Sequence, residues 1–272
     1  MSMSTVLGCL KKADIDYNLI KDGDRIAVGI SGGKDSMVLA LALHLYKRFS
    51  KKNYDLVAIH IEMGFPSQDF SEIKQFFIDN NIEYHELPSK PMIYEVLQRN
   101  LTNKGKLPCS ICSKMKKAAI CQAANEFNCN KVAFGHHGDD AIETFMMNAI
   151  YGGRLATFLP KMELTREKIT FIRPLIYCRE QIIKKTINSS KIPVSESTCP
   201  NDKNTEREVI KTMLKDIYKS HPEAKQNFLN MLSNVAATTV PGGNAFCYSF
   251  RWLVLQPSYV SCLSRRNNPN MC

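Results

Sequence analysis

The sequence predicts an α/β domain, a parallel sheet flanked by helices with further helices at its C-terminal end. Three observations predict it. Short β-branched runs alternate with helical patterns from Arg25 to Ile172. Two of these runs lead straight into a glycine-bearing segment that opens a helix. Of the 272 residues 44% are hydrophobic, enough for one large core. Strands separated by helices need right-handed crossovers, which cover both faces of a parallel sheet.

In chain order, Arg25–Ile30 (RIAVGI) reads as the first buried strand and Ser36–Phe49 as the helix after it. Asp55–Ile61 is the second strand, with a helix near 69–80. Ile82–Leu87, Lys131–Gly135 and Ile169–Ile172 complete the set. Residues 89–127 are expected to be mostly helical but to hold a turn at LPCSIC, and 195–205 a polar loop. Helical patterns return over 205–219 and 221–233. We therefore expect a domain over 1–235 with an inserted helical C-x-x-C segment, and an atypical tail over 236–272. After Lys225 no Lys, Asp or Glu occurs. Two readings of the tail stay open: a segment of foreign or disordered character, or an RNA-binding arm using Phe246, Tyr248, Arg251, Trp252, Arg265 and Arg266.

The formal net charge of +10 suits a polyanionic partner, because each Lys or Arg that neutralises a phosphate releases a counterion. No stretch approaches the roughly 20 apolar residues of a membrane span, and the N-terminus lacks a secretory core. A cytoplasmic protein without membrane attachment is expected. Its ten cysteines should then be reduced, and their grouping should report metal or redox chemistry.

Ser31-Gly32-Gly33-Lys34-Asp35-Ser36 stands at the first strand–helix junction. Two glycines permit a tight turn and close approach to an anion. Backbone N–H groups at a helix start supply partial positive charge, Lys34 a full one, and Ser31 and Ser36 hydroxyl donors. Asp35 cannot favour phosphate directly and suits a Mg²⁺ ion. The spacing matches neither G-x-x-x-x-G-K-[ST] nor G-x-G-x-x-G.

Gly135-His136-His137-Gly138-Asp139-Asp140, continuing to Glu143 and Thr144, repeats that design after the fourth strand. Asp139, Asp140 and Glu143 fall within one helical turn, where they could share a metal ion, orient substrate or merely cap the helix. Tyr151-Gly152-Gly153-Arg154 follows, where a turn and a cation could face a phosphate.

Cys109-Ser110-Ile111-Cys112 can bring two thiolates to one centre, and Cys199 lies far off in the polar loop. Three thiolates suit an iron–sulfur cluster with one iron open to an incoming sulfide. Zinc completed by His, a redox dithiol and no metal remain alternatives. Cys121, Cys129 and Cys178 read as core residues.

The hexapeptide 31–36 resembles the PP-loop of the N-type ATP pyrophosphatases, of adenine nucleotide alpha-hydrolase-like fold. That resemblance implies ATP with Mg²⁺ and transfer of AMP. The order of PP-loop, P-C-x-x-C, GHHxDDxxET and a separate third cysteine resembles the tRNA 2-thiocytidine synthetase family from about Asp22 to Val235. The resemblance implies adenylation of a cytidine C2 oxygen in an anticodon loop, then sulfur transfer. It implies a 4Fe–4S cluster on Cys109, Cys112 and Cys199, and ATP contacts by Ser31, Gly32, Gly33, Lys34, Asp35, Ser36, Gly135 and His136. Lys34, Asp35, Lys114, Asp139 and Asp140 are expected to act in catalysis. The partners it implies are tRNA and a sulfur donor such as a cysteine desulfurase, with a homodimer one open arrangement. Lysidine synthetases share the second signature, so a ligase is a rival reading, and a nucleotide-binding protein without catalysis is another.

Overall fold

The structure, a computed structural model, describes residues 3–65, 69–103, 105–201 and 205–233. The tail expected over 236–272 lies outside them. The chain divides into two units, residues 1–224 and 225–272, and the sheet and every site residue lie in the first.

The strands are β1 (Arg25–Ile30), β2 (Asp55–Glu62), β3 (Glu83–Pro88), β4 (Lys131–Ala133), β5 (Lys161–Leu164) and β6 (Ile169–Ile172). The helices are α1 (Met3–Tyr17), α2 (Lys34–Ser50), α3 (Ser71–Asp79), α4 (Ile93–Arg99), α5 (Cys109–Glu126), α6 (Gly138–Gly152), α7 (Glu180–Ser190), α8 (Glu206–Ser220) and, in the second unit, α9 (Ala224–Ser233). The sheet order is β3-β2-β1-β4-β6-β5. Pairings are parallel from β3 to β6. β5 departs from the all-parallel expectation and runs antiparallel to β6, with Lys161 opposite Ile172 and Leu164 opposite Ile169. Residues 165–168 alone connect them, too few for a crossover, so the chain must double back. Its lysine and glutamate suit an exposed edge.

One face of the sheet packs Ala27, Val57, Ile59, Val132 and Phe171 against Ile120, Ala123 and Ala124 of α5. Burying a side chain such as Phe171 contributes about 1.5–3 kcal/mol. Helices α1, α2 and α7 pack on one another, with α2 against β1. Cys121, Cys129 and Cys178 are buried, as core cysteines should be. Helix α1, not foreseen from the sequence, buries Val6, Leu10, Ala13 and Asp14 at helical spacing. The aspartate interrupts the apolar stripe and hides it. Asp14 accepts from Ile20 N (2.9 Å), Tyr46 Oη (2.8 Å) and Lys52 Nζ (2.5 Å).

At the amino ends of the strands, Lys131 and Asp24 form a buried pair, each 5% exposed, with Nζ 2.6 Å from Oδ2. Asp24 also accepts from Asn130 Nδ2 and Lys21 N. Replacing Asp24 by alanine strands the Lys131 charge and should cost about 3–5 kcal/mol in urea unfolding. A loss under about 1 kcal/mol would show that the pair does not hold β4 in place.

β1 lies between β2 and β4, so the chain leaves it in opposite directions. The crevice outside the carboxyl ends of β1 and β4 is the place where such sheets take ligands. Both glycine-bearing segments end there.

Candidate active site: a phosphate loop tied to three cysteines

Gly32 has φ +79°, which favours glycine, and a Cβ there would stand 3.0 Å from Phe70 Cζ and 3.1 Å from Ser195 Cβ. Ser36 Oγ donates to Gly33 O (2.9 Å) and accepts from Ser31 N (3.2 Å). Gly33 N donates to Ser31 Oγ at 3.4 Å. The two hydroxyls therefore shape the loop itself. No side chain caps α2, which leaves its first-turn N–H groups to an anion.

Lys34 is less open to solvent than its loop position suggests. Its side chain is 29% exposed, with Nζ 3.0 Å from Asp35 Oδ2 and 3.2 Å from Glu180 Oε1. Burial opposes its charge, but the two carboxylates outweigh it and hold the pKa above the usual lysine value. Asp35 Oδ1 is buried without a hydrogen-bond partner and lies 3.6 Å from His137 Nε2, outside bonding range. An orphaned carboxylate oxygen beside an anion cradle fits a cation such as Mg²⁺.

The second segment abuts the first. A Cβ on Gly135 would meet the Asp35 carbonyl carbon at 2.8 Å and Ser36 N at 3.0 Å, both backbone atoms that cannot step aside. Gly135→Ala should therefore push the loop out of shape and weaken ATP binding at least about tenfold, a change of about 1.4 kcal/mol. Calorimetry giving the wild-type Kd would refute this.

His137 caps α6: its Nδ1 accepts from Asp140 N (3.3 Å), and Asp140 Oδ2 accepts from His137 N (2.9 Å). The three acidic residues, for which metal sharing, substrate orientation and helix capping were all open, are engaged by neighbouring side chains and backbone. Asp139 accepts from Glu180 N (2.7 Å) and pairs with Arg179 Nη2 (2.8 Å). Arg207 Nη1 lies 3.3 Å from Asp140 Oδ1 and 3.1 Å from Glu143 Oε2, and Nη2 bonds Thr144 Oγ1. Burial and then Asp140 push the Glu143 carboxyl up. His136 packs on Phe158 (5.0 Å between centroids), and burial with the Arg173 charge lowers its pKa to about 4, so it is neutral near pH 7. Its Nδ1 is buried without a hydrogen-bond partner. Tyr151-Gly152-Gly153-Arg154 lies at the far end of α6, roughly 20 Å along the axis from Gly138. Gly153 there adopts the left-handed C-terminal cap (φ 57°), so that stretch ends the helix.

Three residues that the sequence did not single out organise the site. Arg179 holds Asp139, and Arg207 holds Asp140 and Glu143. Glu180 Oε1 receives Lys34, Lys184 and Lys211, each at 3.2 Å. Burial works against its charge, yet Lys211, Lys34 and Lys184 drive its pKa down to about 2. The spacing Arg207–Lys211, one turn apart on α8, is the only local signal they carry.

The expected turn at LPCSIC is instead the start of α5, with Pro108 at the N-cap and both cysteines in the first turn. Proline suits a helix start because its missing N–H needs no partner there. Cys109 is exposed, and Cys112 and Cys199 are half-buried; all three are free. Burial pushes the Cys112 thiol up, Lys116 pulls against this, and Cys199 and Cys109 add to the rise. Cys112 thus senses both other thiols. Cys112 packs against Ile93, Leu97 and Leu107, with Ile111 and Met115 alongside. Among the described residues no group of three or more His, Cys, Asp or Glu has the geometry for a single metal ion. Cluster ligands bind separate irons and stand further apart, so these thiols fit an iron–sulfur cluster by donor type and number. Lys114 is exposed and has no ion pair among the described residues; the lysine whose charge reaches Cys112 is Lys116, one turn after it.

The polar loop joins the two halves. Ser195 N donates to Gly32 O (2.9 Å) at one end. At the other, Asn201 Nδ2 donates to Leu107 O (2.7 Å) and Cys109 Sγ (3.4 Å). Cys199 lies between these anchors.

A glycine-bearing anion cradle at the switch point of a parallel sheet defines an α/β nucleotide-phosphate-binding protein. The family profile described as PP-loop domain matches residues 10–217. Curated relatives include a tRNA-cytidine(32) 2-sulfurtransferase of Acinetobacter baumannii strain ACICU, 34% identical, covering 85% of this chain and 76% of that one. A protein of the same name from Pelobacter propionicus is 35% identical, covering 82% and 83%. Among solved structures, a U34-tRNA thiolase from Methanococcus maripaludis with its 4Fe–4S cluster is 23% identical, with TM-score 0.63 and coverage of 85% and 79%, a likeness of fold. The chain belongs to the PP-loop domain family, with tRNA-cytidine(32) 2-sulfurtransferases among its relatives.

Proposed function

We propose that this chain is an ATP-dependent tRNA-cytidine 2-sulfurtransferase. It adenylates the C2 oxygen of a cytidine in an anticodon loop, releasing pyrophosphate, and replaces that oxygen with sulfur, releasing AMP. The observation that carries the reading is the 195–201 loop, bonded to Gly32 at one end and to Cys109 at the other. It makes the anion cradle and the thiols one site.

In this reading Ser31, Gly32, Gly33, Lys34 and Ser36 hold the ATP phosphates, and the free Asp35 oxygen faces Mg²⁺. Lys34 leaves Glu180 for the phosphates and stabilises charge growing on the leaving pyrophosphate. Gly135 and the neutral ring of His136 border the nucleotide, while Asp139 and Asp140, steadied by Arg179 and Arg207, orient it. Cys109, Cys112 and Cys199 hold the cluster. When bound with three protein ligands, a 4Fe–4S cluster supplies one iron open to a sulfur ligand. Lys114 and Lys116 lie on the helix that carries the thiols, where either could meet RNA phosphate. Adenylation is needed because the C2 oxygen of cytosine leaves poorly and AMP leaves well. The target base must be unstacked to enter, as loop bases are.

The net charge of +10 favours tRNA as partner. A cysteine desulfurase as sulfur donor, a homodimer and a cytoplasmic setting belong to the same proposal. Among the described residues no helix is long and apolar enough to cross a membrane. We place the catalytic unit within 1–235 and leave the tail, 236–272, outside the chemistry. The lysidine-ligase and non-catalytic readings are not favoured, since the curated relatives above are named sulfurtransferases. The test is anaerobic purification followed by iron and sulfide analysis, with pyrophosphate and thiolated tRNA measured together. Stoichiometric zinc, no iron and full thiolation would overturn the cluster assignment. Lysine attached to the tRNA in place of sulfur would overturn the reaction.

A further inference from the structure

Asn201 is the buried residue of the 195–201 loop, 9% exposed and two positions beyond Cys199. Its side-chain NH₂ carries two N–H groups. One goes to Leu107 O at 2.7 Å and the other to Cys109 Sγ at 3.4 Å. Turning the amide over would set its oxygen against the Leu107 carbonyl, so the network dictates which end faces the sulfur. Neither a hydroxyl, with one hydrogen, nor a carboxylate, with none, could make both bonds. The contact ties Cys109 to the loop bearing Cys199, although Asn201 stands 92 positions further along the chain.

We infer that Asn201 is a positioning residue for Cys109: its amide fixes the Cys109 sulfur relative to Cys199 and donates to the negative charge that sulfur carries as a ligand. The second half rests on the proposed cluster; the first does not. A donor aimed at a ligand sulfur stabilises the more negative, reduced state of a cluster, and such hydrogen bonds help set its potential.

The test uses the full chain with Asn201→Ala and the near-isosteric Asn201→Asp, which keeps the shape and loses both donors. In cluster-free, reduced protein at alkaline pH, where the thiolate is formed in every variant, alkylation of Cys109 by iodoacetamide is followed by peptide mass spectrometry. Loss of the donor should speed it about three- to tenfold, because a hydrogen-bonded thiolate is the poorer nucleophile. Buried Cys121 serves as the internal reference and reports any general loosening. Equal Cys109 rates in all three proteins overturn the inference, as does an equal acceleration of Cys121. In anaerobically reconstituted protein, both variants should release iron to a chelator faster than wild type, and their midpoint potential should be more negative. Faster iron loss at an unchanged potential would leave only a spacer and overturns the charge-donating half. Wild-type protein that takes up no iron sinks the cluster reading, and the alkylation rates still decide the role of Asn201.

Discussion

Replacing Lys34 by alanine should slow tRNA-dependent pyrophosphate release by about 10²–10³-fold, or about 2.7–4 kcal/mol of transition-state stabilisation. The size follows from its position. Lys34 is the full positive charge of a cradle otherwise made of N–H groups and hydroxyls, and it is held between Asp35 and Glu180. Those carboxylates keep it protonated, and its Nζ need only exchange one anionic partner for another when phosphate arrives. The fold should survive, because Glu180 retains Lys184 and Lys211 and the serine–glycine bonds of the loop do not involve Lys34. Thermal unfolding within a few degrees of wild type, together with the kinetic loss, is the expected pair of results. A folded Lys34→Ala protein that releases pyrophosphate at the wild-type rate would remove the phosphate loop from the mechanism.

Much of the sheet was legible because buried parallel strands read as apolar runs, as β1, β2 and β6 do, and these with the more exposed β3 appear within a residue or two of their expected limits. The glycine-bearing junctions were legible for a local reason too, since each follows an apolar run and opens a helix, although the atoms that leave a Cβ at Gly32 or Gly135 no room come from distant residues. What escaped was non-local. Helix α1 carries Asp14 on its buried stripe and therefore lacks an unbroken apolar pattern. β5 pairs through a turn with neither Gly nor Asn. Arg179, Glu180, Arg207 and Asn201 act on residues far away in the chain, and no spacing rule marks such partners. The acidic triplet shows the same limit. Its helical spacing left a shared metal ion, substrate orientation and capping open, and the arginines from α8 and the segment before α7 that pair with these carboxylates are distant in the chain; among the described residues, Asp35 Oδ1 is a buried carboxylate oxygen without a hydrogen-bond partner.

The cysteine site should separate the two half-reactions. Cys109→Ala, Cys112→Ala and Cys199→Ala are each expected to lower tRNA thiolation at least about 100-fold, while the first turnover of pyrophosphate release persists. In the proposed reaction adenylation uses the loop at the end of β1, and the loop's serine–glycine hydrogen bonds involve no cysteine side chain. Cys112 should be the most severe of the three. It is the thiol whose pKa responds to both others, and burial holds it above the ordinary thiol value. Metal binding must displace that proton, so iron loading of wild type should improve as pH rises toward the thiol's range. The measurements are iron per chain, thiolated cytidine by nucleoside mass spectrometry, and a single-turnover pyrophosphate assay on the same preparations. Iron and thiolation at wild-type levels in the Cys112→Ala protein would falsify the three-cysteine site, whereas loss of the pyrophosphate burst along with thiolation would mean that the thiols and the phosphate loop do not act as separable parts.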